Sequence, residues 1–428
     1  MSAPTVHRSP PRPAAGRGSG LLPALLREVG FRRYWTGLTV SALGDQVSAI
    51  ALPLIAVLAV HAGAAQMGYL AAATWLPYLL FALPAGAWAD RRSRRRRVMI
   101  AADLGRVALI ATIPLAYAFD ALTLPQLYLV ALGVGTLSVL FDVCNAQVFN
   151  SLVPSARYVE GNSLVSGSRA MSQIAGPGIG GLLVQLLSAP LALLADALSF
   201  AASALCLSRI APIEPPGERR TRGQLAEGGR FIVRSPIMRA ALASTATVNF
   251  FTFMVAALFV LYATTTLHLA PGLLGAVLGA GSVGGLLGAL SAGALTRRIG
   301  LGATFLLGSI AFPAPLLLIP AAHGSTLMVL GFLFAAEFVS GLGVMWLDIA
   351  AGSMFAAIVP DQLRSRVSGA YRMVNYGTRP LGSLAAGALA GAIGLRPTLW
   401  IAVGGALASF LWLLPSPVPR LRELPGKD

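Results

Sequence analysis

The sequence predicts an all-α, polytopic membrane fold: twelve transmembrane helices in two parallel-repeat bundles of six. Three observations predict it. Hydrophobic residues fill 56% of the 428 positions and charged residues only 11%, too apolar a balance for a water-soluble chain of this length. The basic residues cluster in short loops that alternate with apolar segments. The two halves of the chain also repeat each other in one register.

A spanning helix needs about 20 mainly apolar residues. The chain satisfies this twelve times, in pairs that each return to an arginine-bearing loop. Residues 37–61 and 67–89 end at the cluster 91–97, and residues 98–119 and 125–149 end at the turn holding Arg157. Residues 161–187 and 190–208 lead into the long Pro-, Gly- and charge-rich connection 210–239. In the second half, 240–267 and 273–295 close on Arg297 and Arg298, and 302–322 and 327–357 close on Arg364 and Arg366. Residues 367–393 and 397–414 precede the final tail, 415–428. Of the 32 basic residues, 27 fall on one side, Arg396 falls on the other, and four lie inside spans. That asymmetry predicts a multi-pass protein of the cell membrane with both termini cytoplasmic. The organisation is then a tail, 1–36, a first bundle, 37–209, a linker, 210–239, a second bundle, 240–414, and a tail, 415–428.

The formal charge of +16 is this topology signal rather than a nucleic-acid surface, since the charges sit in loops between spans. Residues 1–20 lack the apolar core of a signal peptide and read as a polar tail. Cys144 and Cys206 lie in apolar segments and make neither a disulfide framework nor a metal spacing, and the four histidines are scattered. No phosphate-binding loop of the Gly-x-x-x-x-Gly-Lys-Ser/Thr type is present, so direct ATP drive is not expected. The sequence therefore points to a protein that is not an enzyme, with no cofactor and no metal, working as a monomer on a small-molecule substrate in the lipid bilayer. Its energy would come from an ion gradient, worth about 2.3 kcal/mol per charge per 100 mV.

The repeat sharpens this reading. Phe141-Asp142, Val153-Pro154, Gly176 and Gly181 recur 206 residues later as Leu347-Asp348, Val359-Pro360, Gly382 and Gly387. Ala85-Gly86-Ala87-Trp88 answers Ala292-Gly293-Ala294-Leu295, and Arg91-Arg92 answers Arg297-Arg298, with one residue dropped where Asp90 stands. Parallel six-helix repeats place substrate handling near the bilayer midplane, between halves that rock.

Charges inside spans cost roughly 2.5–3.5 kcal/mol each at a helix centre on insertion scales, so those present need partners or a function. Asp142 and Arg169 both lie roughly 12 Å from the basic side on adjacent antiparallel spans, which predicts an ion pair, and Asp348 with Arg372 makes the corresponding pair in the second half. Each pair either fixes its hairpin or opens and closes as a gate. Asp103 and Arg106, three residues apart, are expected to pair locally. Asp196, near the far end of its span, reads as structural. Glu337 has only apolar neighbours and no basic residue within a turn. Such a carboxyl would carry a proton until water or a cation reaches it, which suits proton-for-cation exchange.

Gly86, Asp90, Arg91, Arg94 and Arg95 resemble the loop motif that follows the second span in the major facilitator superfamily, with Ser93 where glycine is usual. Gly176-Pro177-Gly178-Ile179-Gly180-Gly181 resembles the superfamily's antiporter motif, with Ser172 in place of an upstream glycine. The chain is thus similar to the twelve-helix drug:proton antiporters. The entry Phe31-Arg32, Trp35, Ser41, Gly44-Asp45 resembles the siderophore and macrolide exporter branch. The resemblance implies alternating access around a cavity formed by spans one, four, seven and ten, which makes Glu337 and Asp45 the candidate coupling or substrate carboxylates and Asn249 a polar cavity contact. It implies that Gly176, Pro177, Gly180 and Gly181 close the cavity against leak. Because the repeat keeps the acid in the first half alone, Asp90 is expected to act across the interface and latch onto the start of span eleven, where free backbone N–H groups and Arg366 offer positive potential. The superfamily's arginine in span four is absent here. The expected function is proton-coupled export of a lipophilic or cationic drug-like compound; export of an endogenous siderophore or macrolide, or facilitative uptake, are the alternatives.

Overall fold

The computed structural model describes residues 23–90, 94–212 and 224–421. Among these no strand occurs, and α-helices follow one another with short turns. The first group comprises α1 (Ala24–Arg27), α2 (Val29–Leu58), α3 (Ala64–Asp90), α4 (Arg95–Ala118), α5 (Leu124–Leu152), α6 (Tyr158–Leu187) and α7 (Ala189–Ser208). The second comprises α8 (Gln224–Arg234), α9 (Pro236–Thr265), α10 (Pro271–Ile299), α11 (Leu301–Ala311), α12 (Leu318–Ala321), α13 (Thr326–Ile358), α14 (Arg364–Ile393) and α15 (Leu395–Leu407). Among the described residues ten helical segments are long and apolar enough to cross a membrane, the ninth span being α11 continued through a 3₁₀ turn into α12. With α3 and α14, of 27 and 30 residues, they complete the twelve.

Proline sets several of these starts. Pro125, Pro190, Pro236 and Pro271 occupy the first turns of α5, α7, α9 and α10, where a missing N–H leaves no bond unmade. Glycine in the left-handed region ends α10 at Gly300 (φ 89°) and α14 at Gly394 (φ 90°), so the next helix can begin without a loop.

In the first group α2 packs on α6 and α7, α4 on α5 and α7, and α3 on α5. The second group answers with α9 on α14 and α15, and α13 on α10 and α11. The groups meet along two crossings related by the sequence repeat: α3 against α14, and α6 against α10.

Two expected boundaries move. The tail expected to reach residue 36 ends earlier, because α2 begins at Val29, and α1 is tied to the start of α6 where Glu160 accepts the Leu25 N–H at 3.0 Å. The Pro-, Gly- and charge-rich linker, 210–239, contains α8, whose Ile232 is buried beside Met238, Val359 and Val367. Local apolar pattern, not length, decides that segment.

The arginine-rich side has a structural role as well as a topological one. Arg33 donates to the Arg209 carbonyl at 2.7 Å, and Arg96 to the carbonyls of Ser208, at 3.3 Å, and Ile210, so two cations close the C-terminal end of α7. Cations there complement the negative end of the helix dipole. On the opposite side Arg396 donates to the Tyr262 hydroxyl at 3.1 Å and to the Ala322 carbonyl at 2.6 Å.

Candidate functional site: a charged cavity between the two halves

A cavity of about 660 Å³ lies between the halves. Its charged lining comes from the first half alone: Asp45 on α2, Arg106 on α4, Asp142 on α5, Arg169 on α6 and Asp196 on α7. The second half contributes Phe253, Ala256 and Ala257 of α9 and Ser383 of α14. Three carboxylates and two guanidiniums therefore face a largely apolar wall.

Each carboxylate is held differently. Asp196 accepts hydrogen bonds from Ser48 of α2 and, at 3.1 Å, from Ser199. That contact needs Gly44, where a Cβ would stand 2.4 Å from the Asp196 Oδ1. Asp196 thus joins two helices and also lines the cavity, a second role not expected for it. Asp142 accepts the Tyr78 hydroxyl of α3 at 3.0 Å. Asp45 opens onto the cavity. Of the guanidiniums, Arg106 pairs with Asp103, both nearly fully buried, and lies 4.1 Å from the Phe200 centroid and 4.6 Å from that of Phe141. The expected local pair forms, and the aromatic flanks shield it. Arg169 remains the exposed cation of the lining.

Several expected groupings are not found. Among the described residues no ion pair within 4.0 Å joins Asp142 to Arg169, because Tyr78 has taken the carboxylate and both side chains reach an open cavity rather than each other. Nor does one join Asp348 to Arg372. Arg372 is exposed, and Arg379, two turns further along the same face of α14, lies against the rings of Trp75, Phe253 and Tyr376.

Glu337 is not part of the cavity lining. Its Oε2 lies 3.0 Å from where a Cβ would stand at Gly281, so the side chain fills the space that glycine leaves between α13 and α10. Among the described residues no hydrogen bond or ion pair reaches it. Asn249 is also placed elsewhere. It donates to Asn375 Oδ1 at 3.0 Å and to the Thr245 carbonyl at 2.9 Å, stitching α9 to α14. Of the three expected cavity residues, only Asp45 is there.

The side chain of Asp90, together with Arg91, lies outside the described residues. Gly86 meets no atom within 4 Å where its Cβ would be, Arg94 is exposed, and buried Arg95 donates to the Ala89 carbonyl at 3.2 Å, holding the end of α3 to the start of α4. Arg366, the expected target of the latch, is engaged from another direction by Glu227 of α8.

The glycine run brings α6 against two helices at once. A Cβ at Gly176 would stand 2.4 Å from Gln46 Cβ, and one at Gly180 3.1 Å from Val47 Cα, so that face packs on α2. On another face a Cβ at Gly181 would stand 2.9 Å from Gly275 Cα, and one at Gly275 only 2.4 Å from the Pro177 carbonyl oxygen. The α3–α14 crossing repeats this: a Cβ at Gly68 would stand 2.7 Å from the Ser383 carbonyl and 2.9 Å from Gly387 Cα. Both close approaches lie on the arginine-poor side. Further along α6, toward the arginine-rich side, a Cβ at Gly167 would meet nothing within 4 Å.

Comparison with known proteins agrees with this architecture. The sequence profile of the Major Facilitator Superfamily matches residues 34–334 and 242–428. The chain belongs to that superfamily. It is therefore a multi-pass membrane transporter of small molecules, not an enzyme. It is 30% identical to the multidrug efflux pump Tap of Mycolicibacterium fortuitum over 413 residues, covering 89% of this chain and 93% of that relative. A bacterial homologue of the iron transporter ferroportin in its inward-facing state superposes with a TM-score of 0.72 at 18% identity, over 92% of this chain and 99% of that one. A bacterial homologue of the same transporter in its outward-facing state gives 0.59 at 18% identity, over 90% and 98%.

The aromatic surroundings of Arg379 and the tyrosine partner of Asp142 were not expected from the sequence. A hint was present: Trp75 and Tyr78 share one face of a span, and Tyr376 precedes Arg379 by three residues, one turn of α14.

Proposed function

We propose that this transporter exports lipophilic, cationic small molecules by proton-coupled alternating access. The observation that carries this reading is the lining of the cavity, where Asp45, Asp142 and Asp196 face an apolar wall. Carboxylates set in a mostly apolar cleft give a cation both charge complementarity and surface to bury. The multidrug efflux pump Tap, similar along nearly its whole length, supports drug-like compounds as the cargo.

With the arginine-rich side assigned to the cytoplasm by the positive-inside bias, both termini are cytoplasmic and the cavity opens inward. A cation then enters from the cytoplasm or inner leaflet and meets Asp45 and Asp142. The crossings at Gly181–Gly275 and Gly68–Gly387 hold the outer side closed. Rocking of residues 37–209 against 240–414 separates those glycines and closes the inner side, with the segment around Gly86, Asp90, Arg91, Arg94 and Arg95 meeting the second bundle.

Protons arriving from outside neutralise the carboxylates and release the cation. Glu337 is the second proton site: held in the α10–α13 contact, it exchanges its proton when that packing changes, so its occupancy follows the conformational cycle. Arg169 and Arg372, which pair with no acid among the described residues, become partners of Asp142 and Asp348 when the inner side closes.

The test is accumulation of tetraphenylphosphonium by everted membrane vesicles. Acidifying the lumen should drive uptake, and Asp45→Asn should abolish the driven component. Absence of uptake across a broad panel of cations would remove the assignment.

A further inference from the structure

The centre of the interface holds a cation that the exporter reading does not use. Arg379 of α14 places its guanidinium carbon 4.4 Å from the ring centroid of Tyr376, 4.5 Å from that of Trp75 and 4.8 Å from that of Phe253. The rings are organised around it. Trp75 and Tyr376 are nearly parallel, 22° apart with centroids separated by 6.5 Å, and Phe253 stands edge-on to Trp75 at 86°. Tyr78 stacks on Tyr376 at 5.6 Å and hydrogen-bonds Asp142. Among the described residues no ion pair reaches Arg379, and its buried Nε has no hydrogen-bond partner. A guanidinium that forgoes carboxylates for three ring faces marks those rings as a cation site in its own right.

Two further features separate this from ordinary packing. Trp75, Tyr78 and Phe253 also line the cavity, so a ligand there touches the same rings. And the arrangement belongs to one crossing only. By the repeat, Trp75 and Arg379 correspond to Ser282 and Gln173 at the α6–α10 crossing, where the Ser282 hydroxyl simply donates to the Gln173 carbonyl. One crossing is a plain polar contact, while the other carries a cation in a box built from α3, α9 and α14.

We propose that the box of Trp75, Tyr78, Phe253 and Tyr376 is the recognition site for the onium or aryl-ammonium group of the cargo, and that Arg379 is its resident, tethered occupant. The cargo's cationic head displaces the guanidinium from between the rings. Because the rings come from both halves, the exchange reports cargo arrival to both. The empty cycle keeps the box filled, and only a cation able to compete with arginine on aromatic faces opens it. This rests on the exporter reading for the class of cargo, but not on proton coupling or on the direction of transport.

The experiment is equilibrium binding of tetraphenylphosphonium to the purified full chain in detergent. Arg379→Met vacates the box and should tighten binding about tenfold, the scale of a desolvated cation–π contact. The gain should vanish in Arg379→Met combined with Trp75→Ala. Arg298→Met, which removes an exposed charge outside the cavity and the box, should not reproduce it. Unchanged or weaker binding by Arg379→Met overturns the proposal, as does a gain that survives Trp75→Ala. In the wild-type chain, tetraphenylphosphonium should quench a fluorescence component absent from Trp75→Phe, and lack of that component overturns the proposal even where Arg379→Met fails to fold. Tight binding to Arg379→Met without vesicle transport would keep the box and remove the exporter reading; vesicle transport with no effect of Arg379→Met would do the reverse.

Discussion

Gly181 of α6 and Gly275 of α10 touch backbone to backbone across the two halves: a Cβ built on either would stand 2.9 Å from the other's Cα. Gly387 of α14 and Gly68 of α3 repeat the contact at the other crossing, in the register that relates the halves. No side chain fits at either point, so the arginine-poor side closes only because these positions are glycine.

Gly181→Val should therefore prevent that closure. In a background where Cys144 and Cys206 are replaced by alanine, a cysteine at Met67 should become reactive to an impermeant maleimide added from the arginine-poor side. Even a shift of about 1.4 kcal/mol in the conformational balance changes the open fraction tenfold. Labelling that stays at the background level would dissociate the glycine contact from closure.

The Tyr78–Asp142 contact makes a separable prediction. Tyr78→Phe keeps the ring and deletes a hydrogen bond to a carboxylate, worth about 1.5–3 kcal/mol. Its half-saturating concentration for a permanent cation should rise by roughly tenfold or more, while that for a neutral substrate stays near the wild-type value. Equal effects on both would show that the hydroxyl does not act through the charge of Asp142.

Asp103 and Arg106 are almost completely buried, so they should behave as a unit. Asp103→Ala leaves an unpaired guanidinium in the helix bundle and should cost about 3–5 kcal/mol. Replacing both, as Asp103→Leu with Arg106→Met, should recover most of the loss. Thermal unfolding in detergent reads both outcomes; a double variant no more stable than Asp103→Ala would point to a role beyond mutual neutralisation.

The helix α8 rests on α14 mainly through shape. Glu227 and Arg366 are partly exposed, so Glu227→Ala should change stability by only about 0–1 kcal/mol. Gly228 is tighter: a Cβ there would stand 2.3 Å from the Arg366 carbonyl. Gly228→Val should free α8, visible as faster tryptic cleavage at Arg230 and Arg234. Cleavage at the wild-type rate would show that α8 is held elsewhere.

The transmembrane architecture was legible because lipid leaves few alternatives: long apolar runs must become helices, and arginines must lie in loops or find partners. The repeat pairs Gly181 with Gly387, and both lie where the halves touch. What escaped was rotation about the helix axes. Asp142 and Arg169 share the cavity, but which neighbour a side chain meets depends on helix packing. Glu337 turns toward Gly281, Asn249 toward Asn375, and Asp142 toward Tyr78, because a missing side chain or a hydroxyl on an adjacent helix offers the better contact. Arg366 illustrates the same limit, since its partner Glu227 belongs to an amphipathic helix that the charge-rich linker concealed.

Coupled exchange of a cation for protons through this cavity is tested most directly in proteoliposomes loaded with a pH-sensitive dye, under a clamped membrane potential. Tetraphenylphosphonium added outside should enter and drive protons out, so the lumen turns alkaline in step with uptake, and Glu337→Gln should uncouple the two. Uptake with no change in luminal pH, or unaltered coupling in Glu337→Gln, would contradict it.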